Sequence, residues 1–269
     1  MPGWKDGAQC AVMFTVDYDA ETLWLSRDPE NAKKPGILSQ GQYAEVGVFK
    51  ILQMLEEEGV KATFFIPGWV AEKYKESVKA INSRGHEIGH HGYLHERLAY
   101  DSYQEEEDII LKGLEILEDI TGTKPVGYRS PAWEINPIVL KLLVKYNFLY
   151  SSNMMADIKP YWLEIEGHKS EIVELPVQWM LDDAPFFLFS LKPPSRPITP
   201  NNAVLSIWKD EFHGIYKEGG LFNLVVHPQF SGRPSRINML KELFLFIKSF
   251  PNVWFATGKQ VADYWKQNN

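Results

Sequence analysis

The sequence predicts an α/β protein built as a closed or nearly closed β/α barrel. Short apolar runs of strand length alternate with amphipathic runs of helix length, and this alternation implies a parallel sheet. Seven or eight such units fit the 269 residues, close to the ~250 residues of a single β/α barrel. An open doubly wound sheet is the second choice. One catalytic domain over residues 1–269 is expected, and a 45% hydrophobic composition supplies its core.

The elements follow in order. Residues 10–16 form a β-rich run, and the polar stretch after it, with Asn31, Pro35 and Gly36, reads as a loop. Over residues 40–58, Val46, Phe49, Leu52 and Leu55 recur at helical spacing, with Gly59 as the stop. Residues 62–66 read as a buried strand, 70–83 as a helix, and 87–91 as a short strand. Residues 103–120 give the clearest amphipathic helix, with Glu105, Glu106 and Glu107 suiting the dipole of its first turn. Strands at 126–130 and 149–152 flank a helix at 137–146. A less regular section holds Trp162, Glu164 and a strand-like run at 172–179. The five prolines of residues 185–200 indicate a loop or lid. Helices at 203–217 and 237–248, strands at 221–226 and 253–256, and a helical tail complete the chain.

Composition narrows the function. Lys plus Arg is 28 against 35 for Asp plus Glu, a net charge of −7, so nucleic acid is a poor partner. The single cysteine, Cys10, excludes an intrachain disulfide and a cysteine-based zinc site. The seven histidines become the metal candidates. No membrane span and no export signal is apparent, so a cytoplasmic product is expected.

In β/α folds the chemistry sits at the C-terminal ends of strands. The first strand ends in Asp17-Tyr18-Asp19. In extended backbone, Asp17 and Asp19 point to one side, where two carboxylates bind a cation or divide into base and ligand. The third strand ends in His90-His91-Gly92-Tyr93-Leu94-His95. Imidazole is the commonest transition-metal ligand near neutral pH. Both His91 with His95 and His90 with His95 are candidate pairs, and alternation lets only one of His90 and His91 face the site. His86 precedes the strand and reads as structural. Two further strand ends supply Arg129 and His227. Trp133, Trp162, Trp179, Phe186, Phe187 and Phe189 either wall a pocket or pack in the core. Asp182 and Asp183 either bind polar substrate atoms or begin the proline-rich loop, and no catalytic role is assigned to them.

Taken together, FTVDYDAE, GHEIGHHGYLHERL, GYRSPAWE and LVVHPQFSGRP resemble the motifs of the polysaccharide deacetylase (NodB-homology) family, in family order over roughly residues 10–234. The resemblance implies a distorted (β/α)7-8 barrel and a metal-dependent hydrolase of carbon–nitrogen bonds other than peptide bonds. It implies Asp19, His91 and His95 as ligands of a divalent metal, usually Zn2+. It also implies Asp17 as catalytic base, Arg129 as the residue orienting that base, and His227 as proton donor. An ion held by one carboxylate and two imidazoles keeps an open position and polarises a carbonyl, and backbone N–H groups near Ala132 would complete an oxyanion hole.

One feature departs from much of the family. Two adjacent aspartates are common there, whereas Tyr18 separates them here. The chain looks like the branch of cytoplasmic peptidoglycan-deacetylase-like proteins, allantoinases and cyclic imide hydrolases. The implied substrate is therefore an N-acetylated saccharide or a small cyclic amide, and the implied assembly a homo-oligomer. A metal-free binding protein on the same scaffold is a third reading.

Overall fold

The computed structural model describes residues 3–96, 102–190 and 195–269. Among the described residues, nine strands form one sheet: β1 (Cys10–Asp17), β2 (Thr63–Ile66), β3 (Glu87–His90), β4 (Gly127–Tyr128), β5 (Tyr150–Ser151), β6 (Tyr161–Ile165), β7 (His168–Glu174), β8 (Leu221–Val226) and β9 (Val253–Phe255). The path runs β6-β7-β5-β4-β3-β2-β1-β8, and β9 also pairs with β1. Every pairing is parallel except that of β6 with β7. The sheet curls into a half-barrel, the architecture that the alternating pattern predicts. Between its two edges, Asp182 bridges Val225, and Leu221 N–H donates to the Ile158 carbonyl at 2.8 Å.

Alternation along the strands decides which side chains meet inside the curl. On β1, Val12, Phe14 and Val16 pack with the helix-facing core, while Ala11 and Met13 join Phe65, Tyr150, Val173 and Leu221 in a second cluster inside the curl. Thr15 and Asp17 continue that inner row. The same parity places His91 and Arg129 inward.

Eleven α-helices occur among the described residues: α1 (Thr22–Leu25), α2 (Pro35–Glu58), α3 (Gly68–Lys73), α4 (Lys75–Ser83), α5 (Tyr103–Thr121), α6 (Pro137–Lys145), α7 (Ala184–Phe187), α8 (Asn201–Glu218), α9 (Pro228–Ser231), α10 (Pro234–Lys248) and α11 (Gly258–Asn268). Local signals account for their ends. Ser102 caps α5 at Glu105 N, Asn136 caps α6 at Val139 N, and Thr257 with Gln260 forms a capping box on α11. Helix α2 ends at Gly59 in left-handed backbone (φ 65°). Gly47 lets α2 lie against α9: a Cβ there would stand 2.1 Å from the Pro228 carbonyl oxygen.

Several expectations are corrected. The stretch read as a loop after the first strand holds α1, and Pro35 opens α2, because proline suits the first helical turn. The single helix expected over 70–83 is two, broken at Tyr74 (φ −117°, ψ 47°), whose ring lies on Tyr18 and whose hydroxyl donates to Glu21. The irregular section is a β6–β7 hairpin turned at Glu166 and Gly167, both at positive φ. Strand β7 therefore starts before the run expected at 172–179 and ends at Glu174. The proline-rich loop begins with the short helix α7, and its residues 191–194 lie outside the described residues, as do the last two residues of the GHEIGHHGYLHERL motif.

Candidate active site and metal centre

The strand ends converge on one cleft of about 490 Å³, lined by Asp17, Asp19, His91, His95, His227, Trp133, Trp179 and Arg196 among others. Asp19 lies just past β1, fully buried (0% exposed). Its Oδ1 is 3.3 Å from His91 Nε2, and its Oδ2 is 3.5 Å from His95 Nε2 and 3.4 Å from His227 Nε2. Neither Asp19 oxygen has a hydrogen-bond partner. Asp19, His91 and His95 each offer one ligand atom within 4.8 Å of the others. Buried bare acceptors opposite imidazole nitrogens fit a divalent cation, since a buried carboxylate needs compensation.

The two adjacent histidines divide by strand parity. His91 faces the cleft, and its Nδ1–H donates to the Arg129 carbonyl at 2.7 Å. That bond fixes the tautomer and leaves the Nε2 lone pair toward Asp19. His90 faces the helices. Its Nδ1 accepts from Gly92 N–H at 3.2 Å, and its Nε2–H donates to the Ile110 carbonyl at 3.1 Å. Both nitrogens are occupied, and burial holds its pKa down at about 3. His86 is structural too, accepting Ala62 N–H at 3.1 Å. His95 reaches the cleft through left-handed backbone (φ 58°), a conformation also adopted by Ala132 and Trp133 in the lining and by Ala20 next to Asp19. Such backbone in residues other than glycine costs of order 1–3 kcal/mol each and persists only where surrounding contacts impose it.

Arg129 is the buried cation beneath the cleft (0% exposed). Its Nη1 donates to Asp17 Oδ1 at 2.7 Å and to Thr15 Oγ1 at 2.8 Å, and its Nη2 donates to Ser152 Oγ at 2.8 Å. The guanidinium carbon lies 4.1 Å from the Phe65 ring centroid. Thr15, Asp17, Phe65 and Ser152 all belong to the inward row, so the pleat assembles this nest.

On the other wall stands an arrangement that the sequence reading missed. Asp183 is fully buried, and its Oδ1 accepts the His227 Nδ1–H at 2.7 Å. Its Oδ2 accepts the His227 backbone N–H at 3.0 Å and a short bond from the Ser231 hydroxyl. Burial would lower the His227 pKa, but the Asp183 and Asp19 carboxylates outweigh it and hold the ring well above its usual value. For Asp19, burial opposes ionisation, yet His95, His227 and His91 together bring its pKa below the usual carboxylate range. Burial, with Asp183 adding to it and His227 opposing, pushes Asp182 up to about 7. The signal available for Asp183 was position: it follows a strand-like run, as the other site residues do.

Of the aromatic residues, Trp133 and Trp179 line the cleft with ring centroids 4.4 Å apart. Phe187 packs in the core instead, and Trp162 and Phe186 are partly buried against core clusters. Phe189 is exposed and is not among the lining residues.

Fold and cleft together define a hydrolase of the deacetylase class, and comparison with known proteins gives the family. Residues 41–151 match the polysaccharide deacetylase family. The chain is 32% identical to a peptidoglycan deacetylase of Helicobacter pylori, over 96% of this chain and 97% of that protein. A peptidoglycan deacetylase-like protein of Gibberella zeae is 28% identical, over 93% of this chain and 85% of its own length. A Mycobacterium smegmatis crystal structure assigned to the polysaccharide deacetylases has a TM-score of 0.92 at 39% identity, covering 98% of this chain and 93% of that one. A PuuE allantoinase shares the fold, with a TM-score of 0.86 at 22% identity over 100% of this chain and 94% of that one. The chain belongs to the polysaccharide deacetylase family, hydrolases of carbon–nitrogen amide bonds. Among the described residues, no helix is long and apolar enough to cross a membrane.

Proposed function

We propose that the chain is a metal-dependent deacetylase that removes N-acetyl groups from a saccharide, with zinc held by Asp19, His91 and His95. The observation that carries this reading is the pair of buried, unpartnered Asp19 oxygens opposite two imidazole Nε2 atoms. When bound, such an ion supplies Lewis-acid polarisation of the acyl carbonyl and acidifies a water molecule. Asp17 is the base. Arg129 engages one of its oxygens at 2.7 Å, and the carboxylate takes the proton released by the attacking water. His227 is the acid: Asp183 holds its Nδ1–H, and the protonated ring delivers its other proton to the departing amine. Trp133 and Trp179 offer an aromatic wall for a sugar ring.

A second reading is hydrolysis of a small cyclic amide. The compact cleft of about 490 Å³ admits one, and the fold is shared with an allantoinase. Metal analysis of the purified protein, followed by a hydrolysis screen, decides. The screen compares N-acetylglucosamine oligomers with allantoin, hydantoin and succinimide. Acetate release from the oligomers is expected; turnover confined to the rings would transfer the assignment to the second reading. Protein that takes up no metal and hydrolyses nothing would leave a binding scaffold.

A further inference from the structure

Arg129 touches the site through its backbone as well as its side chain. Its guanidinium holds Asp17, and its carbonyl accepts the His91 Nδ1–H at 2.7 Å. That carbonyl belongs to the Arg129–Ser130 peptide. On the opposite edge of the same peptide, the Ser130 N–H donates to Asn153 Oδ1 at 2.6 Å. A peptide group is planar and stiff, so a clamp on its N–H also sets the direction of its carbonyl. The same bond polarises the carbonyl and strengthens the bond that it accepts. One side-chain amide is therefore linked to the imidazole of His91 across a single peptide plane.

Asn153 is firmly anchored for this. Its Nδ2 donates to Ser151 Oγ at 2.8 Å, which fixes the amide with Oδ1 toward Ser130. Its backbone N–H donates to Glu174 Oε1 at 2.5 Å, and the Met154 N–H reaches the same oxygen at 2.8 Å. Ser130, Ser151, Asn153 and Glu174 are all buried, so these bonds are made away from water. Asn153 lies just past β5 and Glu174 ends β7, and neither strand supplies a proposed metal ligand, the base or the acid. We propose that Asn153 is a positioning residue for the metal centre: through the Arg129–Ser130 peptide it orients the His91 ring and so tightens the grip on the ion. The inference rests on the reading of Asp19, His91 and His95 as the zinc ligands.

The test begins with zinc affinity, read by competition with a chromophoric chelator. Asn153→Leu keeps the approximate size and removes the acceptor. It is expected to weaken zinc binding about tenfold. Asn153→Asp, which restores an oxygen for the Ser130 N–H, is expected to regain most of the loss. Should the leucine variant not fold, Asn153→Ser is too short to reach the Ser130 N–H and takes its place. Wild-type zinc affinity in the leucine or serine variant, even at lowered thermal stability, overturns the proposal, as does an aspartate variant that binds zinc no better than they do. Proton NMR of the metal-free protein separates this inference from the metal reading. The His91 Nδ1–H resonance, displaced downfield by its bond to the Arg129 carbonyl, is expected to move upfield in Asn153→Leu and to return in Asn153→Asp. If the wild type binds no zinc but this resonance follows residue 153, the positioning stands and the metal reading falls. If zinc binds and the resonance ignores residue 153, the positioning alone falls.

Discussion

Asp183 grips His227 twice, taking its backbone N–H at 3.0 Å and its ring Nδ1–H at 2.7 Å. One carboxylate thereby sets both the position of the residue and the orientation and charge of its ring. Asp183→Asn keeps the shape but not the charge. Its kcat is expected to fall by about 10²–10⁴-fold, with metal content unchanged. The rate is lost as pH rises and His227 deprotonates. Asp183 raises the His227 pKa, so in the variant the alkaline limb of the pH profile moves to lower pH. An unmoved limb would assign the proton donor elsewhere.

The two neighbouring histidines make opposite predictions. His91→Ala and His95→Ala are expected to strip the metal and abolish hydrolysis, as read by elemental analysis and acetate release. His90→Asn is expected to retain the metal at reduced thermal stability, because both nitrogens of the His90 ring are taken up by Gly92 and Ile110, away from the cleft. Metal loss in His90→Asn with retention in His91→Ala would reverse the ligand register.

Arg129→Met removes the cation from a buried pair and leaves Asp17 uncompensated. Breaking such pairs costs about 3–5 kcal/mol, measurable as a lower denaturant midpoint at unchanged slope. A variant as stable as the wild type would mean that the Asp17 charge is compensated by another group.

Tyr18→Phe tests the residue that separates the two aspartates. Its hydroxyl donates to Glu45 Oε2 at 2.6 Å and pairs with Ser77 Oγ at 3.1 Å, while its ring stacks on Tyr74. Loss of the hydroxyl is expected to cost about 1–2 kcal/mol in urea unfolding. No change in stability would show that the stacked ring alone anchors this turn.

Strand ends were readable in the sequence because extended backbone has a period of two, so Asp17, His91, Arg129 and His227 are reached by one rule. Parity makes His90 and His91 exclusive and the family resemblance implies His91; the Ile110 and Arg129 carbonyls supply the physical reason, holding His90 toward the helices and His91 toward the cleft. The β6–β7 hairpin escaped notice because its partly exposed strands lack the continuous apolar run of the central strands. The helix break at Tyr74 arises from distant partners, Tyr18 and Glu21, that no local pattern reports. Asp183 sat beside a second acid at the edge of a proline-rich stretch, where aspartate commonly begins a turn.

The incomplete closure of the sheet has a further consequence. The stretch that crosses the gap beside β8 carries Asp182 and Asp183, then Arg196, whereas Asp19, His91 and His95 come from β1 and β3 on the continuous side. On the roles proposed above, the carboxylate that would set the charge of His227 therefore lies on a different segment from the residues that would hold the cation. Exchanging that segment between homologues would alter the partner of His227 while leaving Asp19, His91 and His95 in place.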